Sequence, residues 1–100
     1  TDQIEDLKIT VRSLNKDDIK NRKLPNQTTG LVITSIQSNS PLAGSIEVNS
    51  IIIEAQKERI KSIDDLKQIT KQVLNSNQKT ILLAIYNNQN QRRYIGINLD

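Results

Sequence analysis

Two pairs of adjacent carboxylates are the residues with the plainest capacity for chemistry. Asp17–Asp18 and Asp64–Asp65 could serve in general acid–base catalysis or hold a hard cation. Each pair follows a good N-cap residue, Asn15 or Ser62, so helix capping and the helix dipole account for both pairs. The sequence contains neither His nor Cys, which excludes Ser–His–Asp and Cys–His catalysis, thiolate ligands and the common zinc sites. We therefore expect a non-catalytic chain with no metal and no cofactor.

The composition predicts one globular domain over residues 1–100 with an aliphatic core. Of the 100 residues, 35% are apolar, and Phe, Trp and Met are absent. Branched aliphatic side chains favour strands over helices. The net charge of +3 is dispersed and lacks the stacking aromatics of nucleic-acid binders, so no nucleic-acid partner is expected. No apolar run approaches the roughly 18 residues that a membrane span needs, so no direct membrane insertion is expected.

Alternation of apolar and polar residues predicts most of the strands. Leu7, Ile9 and Val11 alternate with polar residues, which is typical of a strand with one buried face. Gly30 is expected to permit a turn before the second strand. A polar turn at Asn87–Gln91 predicts a C-terminal hairpin. The predicted strands are Asp6–Arg12, Leu31–Gln37, Ser50–Ala55, Thr80–Tyr86 and Arg92–Leu99, with Ile60 in a further short pairing segment.

Capping patterns predict a short helix and one isolated turn. Asn15 caps the helix Lys16–Lys23, and Pro25 ends it because proline restricts the residue before it. Ser40–Pro41 suits an N-cap followed by proline at the first helical position, and Gly44 closes that single turn.

A second helix, Ile63–Leu74, is the most strongly determined element. Ser62 and Asp65 match a capping box at its start. Its apolar residues form two rows, of which the first has the spacing of a core-facing stripe. The core-facing row contains Leu66, Ile69 and Val73, and the second, mixed row contains Ile63, Lys67, Thr70 and Leu74.

The ordered set of these elements resembles a PDZ domain. It is similar to the circularly permuted bacterial type carried by the HtrA/Deg family of trypsin-like envelope serine proteases. The likeness covers essentially the whole chain, and the order of the motifs is more specific than any one of them. The matching stretches are Gly30–Ile36 followed by Ser40–Ala43, then Val48–Glu54, Ser62–Lys71 and Thr80–Asp100.

The resemblance implies an α+β, mainly β fold, a partly open sandwich or barrel of five to six strands with two helices in the permuted strand order. It also implies a single PDZ domain, a fragment of a longer serine endopeptidase, whose divergence fits the second, C-terminal copy. The parent would be a homo-oligomer of the bacterial periplasm or cell envelope that acts in protein quality control. The expected partners are peptides or unfolded protein segments, the parent's protease domain and neighbouring PDZ domains.

In this family an extended peptide adds as a strand to an open sheet edge, between the first strand and the second helix. Backbone amides of a Gly-containing loop hold its terminal carboxylate. Lys8 stands at that Gly and Thr70 at a pocket Leu, which predicts a weakened carboxylate site and a smaller, more polar pocket. Asn49 and Lys57 replace residues of Gly-containing turns. The peptide-binding residues that the resemblance implies are Leu7, Lys8, Ile9, Thr10, Val11, Ile63, Lys67 and Thr70.

Other interpretations of these residues remain open. Lys8 and Thr70 favour an assembly module that docks on neighbouring PDZ or protease domains with weak or no peptide binding. A third possibility is a PDZ module of another envelope machine, such as a secretion or processing-protease component. Without any binding function, Lys8 is a solvated edge lysine that hinders aggregation, and the mixed row is the boundary of an amphipathic helix.

Overall fold

A single antiparallel sheet forms most of the molecule in the computed structural model, which describes residues 2–77 and 79–99. The strands are β1 (Asp2–Ile4), β2 (Ile9–Ser13), β3 (Leu31–Ile36), β4 (Ile51–Ala55), β5 (Glu58–Arg59), β6 (Thr80–Tyr86) and β7 (Arg92–Asn98), and the helices are α1 (Lys16–Asn21) and α2 (Ile63–Leu74). The strand order is β1-β2-β3-β4-β6-β7, with β5 paired to β4. The α+β, mainly β class is confirmed.

Two buried apolar clusters stabilise this sheet. The larger cluster contains the whole core-facing row of α2, Leu66, Ile69 and Val73, as predicted. Through it, α2 packs against β2 and β6. The smaller cluster joins Leu24 to residues of β3, β4 and β6 and is covered by Ile19 of α1. No helix within residues 2–77 and 79–99 is long and apolar enough to cross a membrane.

A capping box is present at the start of each helix, as the sequence predicted for α2. At α2, Ser62 Oγ accepts from the amide of Asp65 at 3.3 Å, and the Asp65 carboxylate accepts from the amide of Ser62 at 3.2 Å. The helix spans Ile63–Leu74 as predicted. α1 begins as predicted but ends at Asn21, earlier than the predicted Lys23, because Lys23 adopts a left-handed φ of 55°.

The first predicted strand begins too early. Asp6–Lys8 belong to a turn, and β2 begins only at Ile9. In this turn the amide of Lys8 donates to the carbonyl oxygen of Glu5 at 3.2 Å, and Lys8 has a left-handed φ of 54°. The turn folds the chain back so that β1 pairs with β2. The sequence did not predict β1. With it, the described residues form a sheet of seven strands, where five or six were expected.

Close backbone approach, not a turn, requires glycine at position 30. A Cβ at Gly30 would lie 2.5 Å from the carbonyl oxygen of Ile52, and the residue does not have a positive φ. Gly44 does adopt a positive φ of 85° and closes the predicted single turn. Asn49 and Lys57 have φ values of 75° and 66°, so both keep the left-handed conformation expected of Gly-containing turns.

Arg22 links α1 to two distant loops. Its guanidinium donates to the carbonyl oxygens of Asn49 at 2.5 Å and Asn87 at 2.6 Å, and to Asn90 Oδ1 at 2.9 Å. Partial burial lowers the pKa of Arg22, and the nearby Asp18 carboxylate opposes that shift. An arginine nevertheless stays charged in a protein, so these are charge-assisted hydrogen bonds. They tie the C-terminus of α1 to the β3–β4 and β6–β7 connections.

Candidate functional site

The edge of β2 that faces away from β3 is the candidate strand-addition edge. Residues Ile9–Ser13 of β2 pair with β3 along the opposite edge. Along the candidate edge, Asp2 lies opposite Val11 and Ile4 lies opposite Ile9. The prediction of an open edge is therefore wrong, because the turn after β1 folds the chain back onto it. The strand and helix expected to flank the site are neighbours, since α2 packs against β2.

A single side chain anchors β1. Ile4 is 1% exposed and belongs to the same buried cluster as Leu66, Ile69 and Val73 of α2. The other two residues of β1, Asp2 and Gln3, are exposed. Burial of a large aliphatic side chain stabilises by about 1.5–3 kcal/mol, against about 0.5–1.5 kcal/mol for one hydrogen bond. Ile4 therefore contributes more than any single backbone contact of β1.

The loop that would hold a terminal carboxylate uses its amides internally. The amide of Leu7 donates to the carbonyl oxygen of Ile4, and the amide of Lys8 donates to that of Glu5, both at 3.2 Å. The hydroxyl of Ser40 donates to the carbonyl oxygen of Leu7 at 2.5 Å, which fixes this loop against the turn after β3. These amides cannot bind a carboxylate at the same time, which fits the weakened carboxylate site expected from Lys8.

The residues predicted on the first strand divide into buried and accessible ones. Leu7, Ile9 and Val11 are each 0% exposed, so their side chains belong to the core and they can offer a peptide only backbone atoms. Lys8 and Thr10 are half-buried, and their side chains reach the surface. Their role in peptide binding stays a prediction.

The predicted helix residues differ among themselves in accessibility. Ile63 and Lys67 are half-buried, and Ile63 packs against the larger cluster. Thr70 is 0% exposed, and its hydroxyl donates to the carbonyl oxygen of Leu66 at 2.7 Å. A hydroxyl bonded to its own helix is not available to a ligand. The polar character expected of the pocket at Thr70 is thus directed inward.

The acidic pairs have the capping roles that the sequence indicated. Asp18 accepts from the amide of Asn15 at 3.0 Å and also forms a bidentate ion pair with Arg12, with distances of 2.6 and 2.8 Å. The hydrogen bonds from Arg12 hold the pKa of Asp18 below its usual value. Within residues 2–77 and 79–99, no three His, Cys, Asp or Glu side chains come together in a group that could hold a metal ion.

Two surface cavities lie away from the candidate edge. One, of about 300 Å³, is lined by residues of the loop before β3 and by Glu54 and Arg92, which form an ion pair. The Arg92 guanidinium also lies 5.3 Å from the centre of the Tyr94 ring. The other, of about 530 Å³, lies beside α1 and is lined by Ile19 of this helix and by Leu24, which follows it. Neither cavity is lined by a predicted peptide-binding residue.

Comparison with known proteins supports the fold. No protein-family model and no curated protein sequence matches this chain. Among solved structures, the fold matches one described as HtrA-type protease AlgW with decapeptide, with a TM-score of 0.65 and 18% sequence identity. The match covers 92% of this chain and 27% of that one, so this chain spans about a quarter of its length. The chain therefore has the PDZ-like α+β fold that the sequence predicted, and its structure is similar to part of an HtrA-type protease.

Proposed function

We propose that this chain is a non-catalytic peptide-binding module of an HtrA-like envelope serine endopeptidase. An extended peptide would add as a strand to the outer edge of β2, beside α2, and so deliver substrate to the protease or regulate it. The pairing of β1 with β2 carries this proposal, because that edge already accepts an extended antiparallel segment with an aliphatic side chain in the core. The fold match to a protease structure that contains a decapeptide supports it.

The ligand in this proposal is an extended segment, whether or not it ends in a carboxylate. The amides of Leu7 and Lys8 donate within their own loop, so the free carboxylate of a C-terminal peptide would gain little there. Backbone pairing along β2 does not depend on the peptide sequence, whereas the half-buried Thr10, Ile63 and Lys67 provide side-chain selection. Peptides with a free C-terminus and their amidated counterparts should therefore bind with similar affinity.

An NMR titration of the isotope-labelled chain tests this function. The ligands are a library of C-terminal peptides and the same peptides as amides. Shifts confined to residues 7–11 and 63–70 and to β1 on the same edge, of similar size for both peptide forms, are the expected result. Lys67→Glu, on the mixed row of α2, should change binding, and Lys71→Glu, an exposed lysine of the same helix, should not. Shifts elsewhere, or equal effects of the two variants, would contradict the proposed site.

The occupied edge also favours the assembly module as a second candidate. A β2 edge already covered by β1 does not need a ligand to satisfy its backbone groups. In that case the exposed surfaces would dock on neighbouring PDZ or protease domains of a homo-oligomeric parent in the bacterial periplasm or cell envelope. Concentration-dependent self-association in analytical ultracentrifugation, together with no shifts in the peptide titration, would favour this candidate over peptide binding.

A further inference from the structure

The pairing of β1 with β2 places a segment of the chain on the edge assigned above to peptides. We propose that β1 is a tethered occupant of this edge, with Ile4 as its anchor, and that a peptide binds only when β1 is displaced. This inference rests on the proposed function, because it assigns regulation to the same edge.

Backbone geometry makes the two occupants mutually exclusive. A strand has two edges, each with one row of amide and carbonyl groups. One edge of β2 is taken by β3 over Ile9–Ser13, and the other by β1 over Ile9–Val11. A third strand therefore cannot pair with Ile9–Val11 until β1 leaves.

The described pairing between β1 and β2 is limited. It covers three residues, whereas β6 and β7 pair over seven. Among the described residues of β1 only Ile4 is buried. A short tether nevertheless gives β1 a local concentration on the order of millimolar, and this lowers the apparent affinity of any free peptide by the fraction of molecules with an open edge.

The same contacts indicate the class of peptide that can displace β1. Such a peptide needs an aliphatic side chain, of the size of Ile4, to fill the buried site that β1 vacates. It should also be longer than β1, because β2 extends to Ser13 and no described residue pairs with Arg12 or Ser13 on that edge. A segment of about five residues would pair with all of β2, at roughly one residue for each residue of the strand.

A reversible covalent lock tests the inference. Gln3 and Thr10 lie directly opposite each other in the β1–β2 pair. The chain has no cysteine of its own, so the double variant Gln3→Cys, Thr10→Cys can form only this one disulfide within a molecule. Residues opposite each other on antiparallel strands are within disulfide range. The oxidised protein holds β1 in place, and reduction releases it in the same sample.

The probe is a fluorescein-labelled, amidated hexapeptide, Gly-Gly-Thr-Asp-Gln-Ile, which repeats the sequence of residues 1–4 behind a flexible linker. Binding is followed by fluorescence anisotropy. We expect the oxidised lock to bind the probe at least tenfold more weakly than its reduced form. Ile4→Ser, which removes the anchor, should bind at least tenfold more tightly than the wild type, and Gln3→Ser, at the exposed neighbour, should behave as the wild type.

The outcomes separate this inference from the proposed function. If the reduced, wild-type and Ile4→Ser proteins bind the probe equally and only the oxidised lock binds it more weakly, β1 does not compete for the edge in the free protein, so the edge function stands and the role of β1 is refuted. If the oxidised lock binds the probe as tightly as the other three proteins, the probe does not use the β2 edge, and strand addition there is refuted together with the role of β1. If none of them binds it, including the reduced and Ile4→Ser forms, strand addition at β2 is itself refuted. In the wild type saturated with probe, the NMR signals of Asp2–Ile4 should move to unpaired positions. Signals that stay in place while the probe binds would also refute displacement.

Discussion

Alanine substitution at each of the three glycines gives a graded test of the packing. At Gly30 the new Cβ would lie 2.5 Å from the Ile52 carbonyl oxygen and 3.0 Å from Ile51 Cγ2. The first contact is with backbone, so β3 and β4 would have to separate. Overpacking of this kind costs about 1–3 kcal/mol, and we expect Gly30→Ala to lower the free energy of unfolding by about 3 kcal/mol.

The other two glycines are matched controls, because a side chain at Gly44 would strain only the backbone and one at Gly96 would strain neither backbone nor packing. At Gly44 a Cβ meets nothing within 4 Å, but the φ of 85° costs a side chain about 1 kcal/mol. At Gly96 the nearest atom, Thr80 Cγ2, is 3.8 Å away and φ is not positive. Gly96→Ala should therefore be neutral or stabilise by about 0.5 kcal/mol, because alanine has fewer conformations in the unfolded chain.

Urea unfolding of the three variants, followed by circular dichroism, measures the order of their free energies of unfolding, and thermal unfolding measures their Tm values. For a domain of this size 1 kcal/mol shifts Tm by about 4–8 °C, so Gly30→Ala should lower Tm by roughly 12–24 °C. The reasoning is refuted if Gly30→Ala costs no more than Gly44→Ala, or if Gly96→Ala is the most damaging of the three. The first result would mean that the backbone at Gly30 does not approach Ile52 as closely as described, and the second that the space around Gly96 is smaller than described.

Three further substitutions test the links between elements. Arg22→Met should lower the free energy of unfolding by about 2 kcal/mol in urea titration, because three charge-assisted hydrogen bonds are lost, whereas Arg93→Met, an exposed control, should cost less than about 0.5 kcal/mol. Because Arg12 lowers the pKa of Asp18, their pair stabilises the fold above the unfolded pKa of about 3.9 and less as the pH falls through the folded value. Asp18→Asn should therefore flatten the pH dependence of stability below about pH 4, and an unchanged acid profile would contradict this assignment. Ser62→Ala should cost about 1 kcal/mol by loss of the cap, and Ser62→Asp should restore most of it.

Elements determined by neighbours in the sequence could be predicted, and α2 is the clearest case. Its start depends on Ser62 and Asp65 alone, and its buried row on the spacing of Leu66, Ile69 and Val73, so no distant contact was needed. Arg22 shows the opposite situation. Its hydrogen-bond partners lie 27, 65 and 68 residues away in the sequence, and no local pattern distinguishes it from an exposed basic residue in the last turn of a helix.

The two elements that flank the candidate site could be predicted from the sequence, but the occupation of the β2 edge by β1 could not. The alternation from Leu7 to Val11 predicted a half-buried strand, and the resemblance to a PDZ domain placed this strand beside α2. The strand packs against α2 as expected, although it begins only at Ile9. The alternation could not reveal β1, because three residues are too few for a periodic signal and the intervening turn contains no glycine. Lys8 adopts the left-handed conformation that such a turn needs, at a cost that the sequence alone does not indicate.

The pairing between the described residues of β1 and β2 fits an edge on which strands can exchange. An uncovered β2 edge would expose backbone groups to pairing with other copies of the chain, which favours aggregation. A strand that paired with β2 over seven residues, as β7 does with β6, would be too stably bound for a peptide to displace it. The described pairing covers Ile9–Val11 with one buried side chain, and within the described residues no strand pairs with Arg12 or Ser13 on that edge. A peptide that pairs with all five residues of β2 and fills the site of Ile4 therefore gains contacts that Asp2–Ile4 do not make, and this difference is the free energy available to drive the exchange.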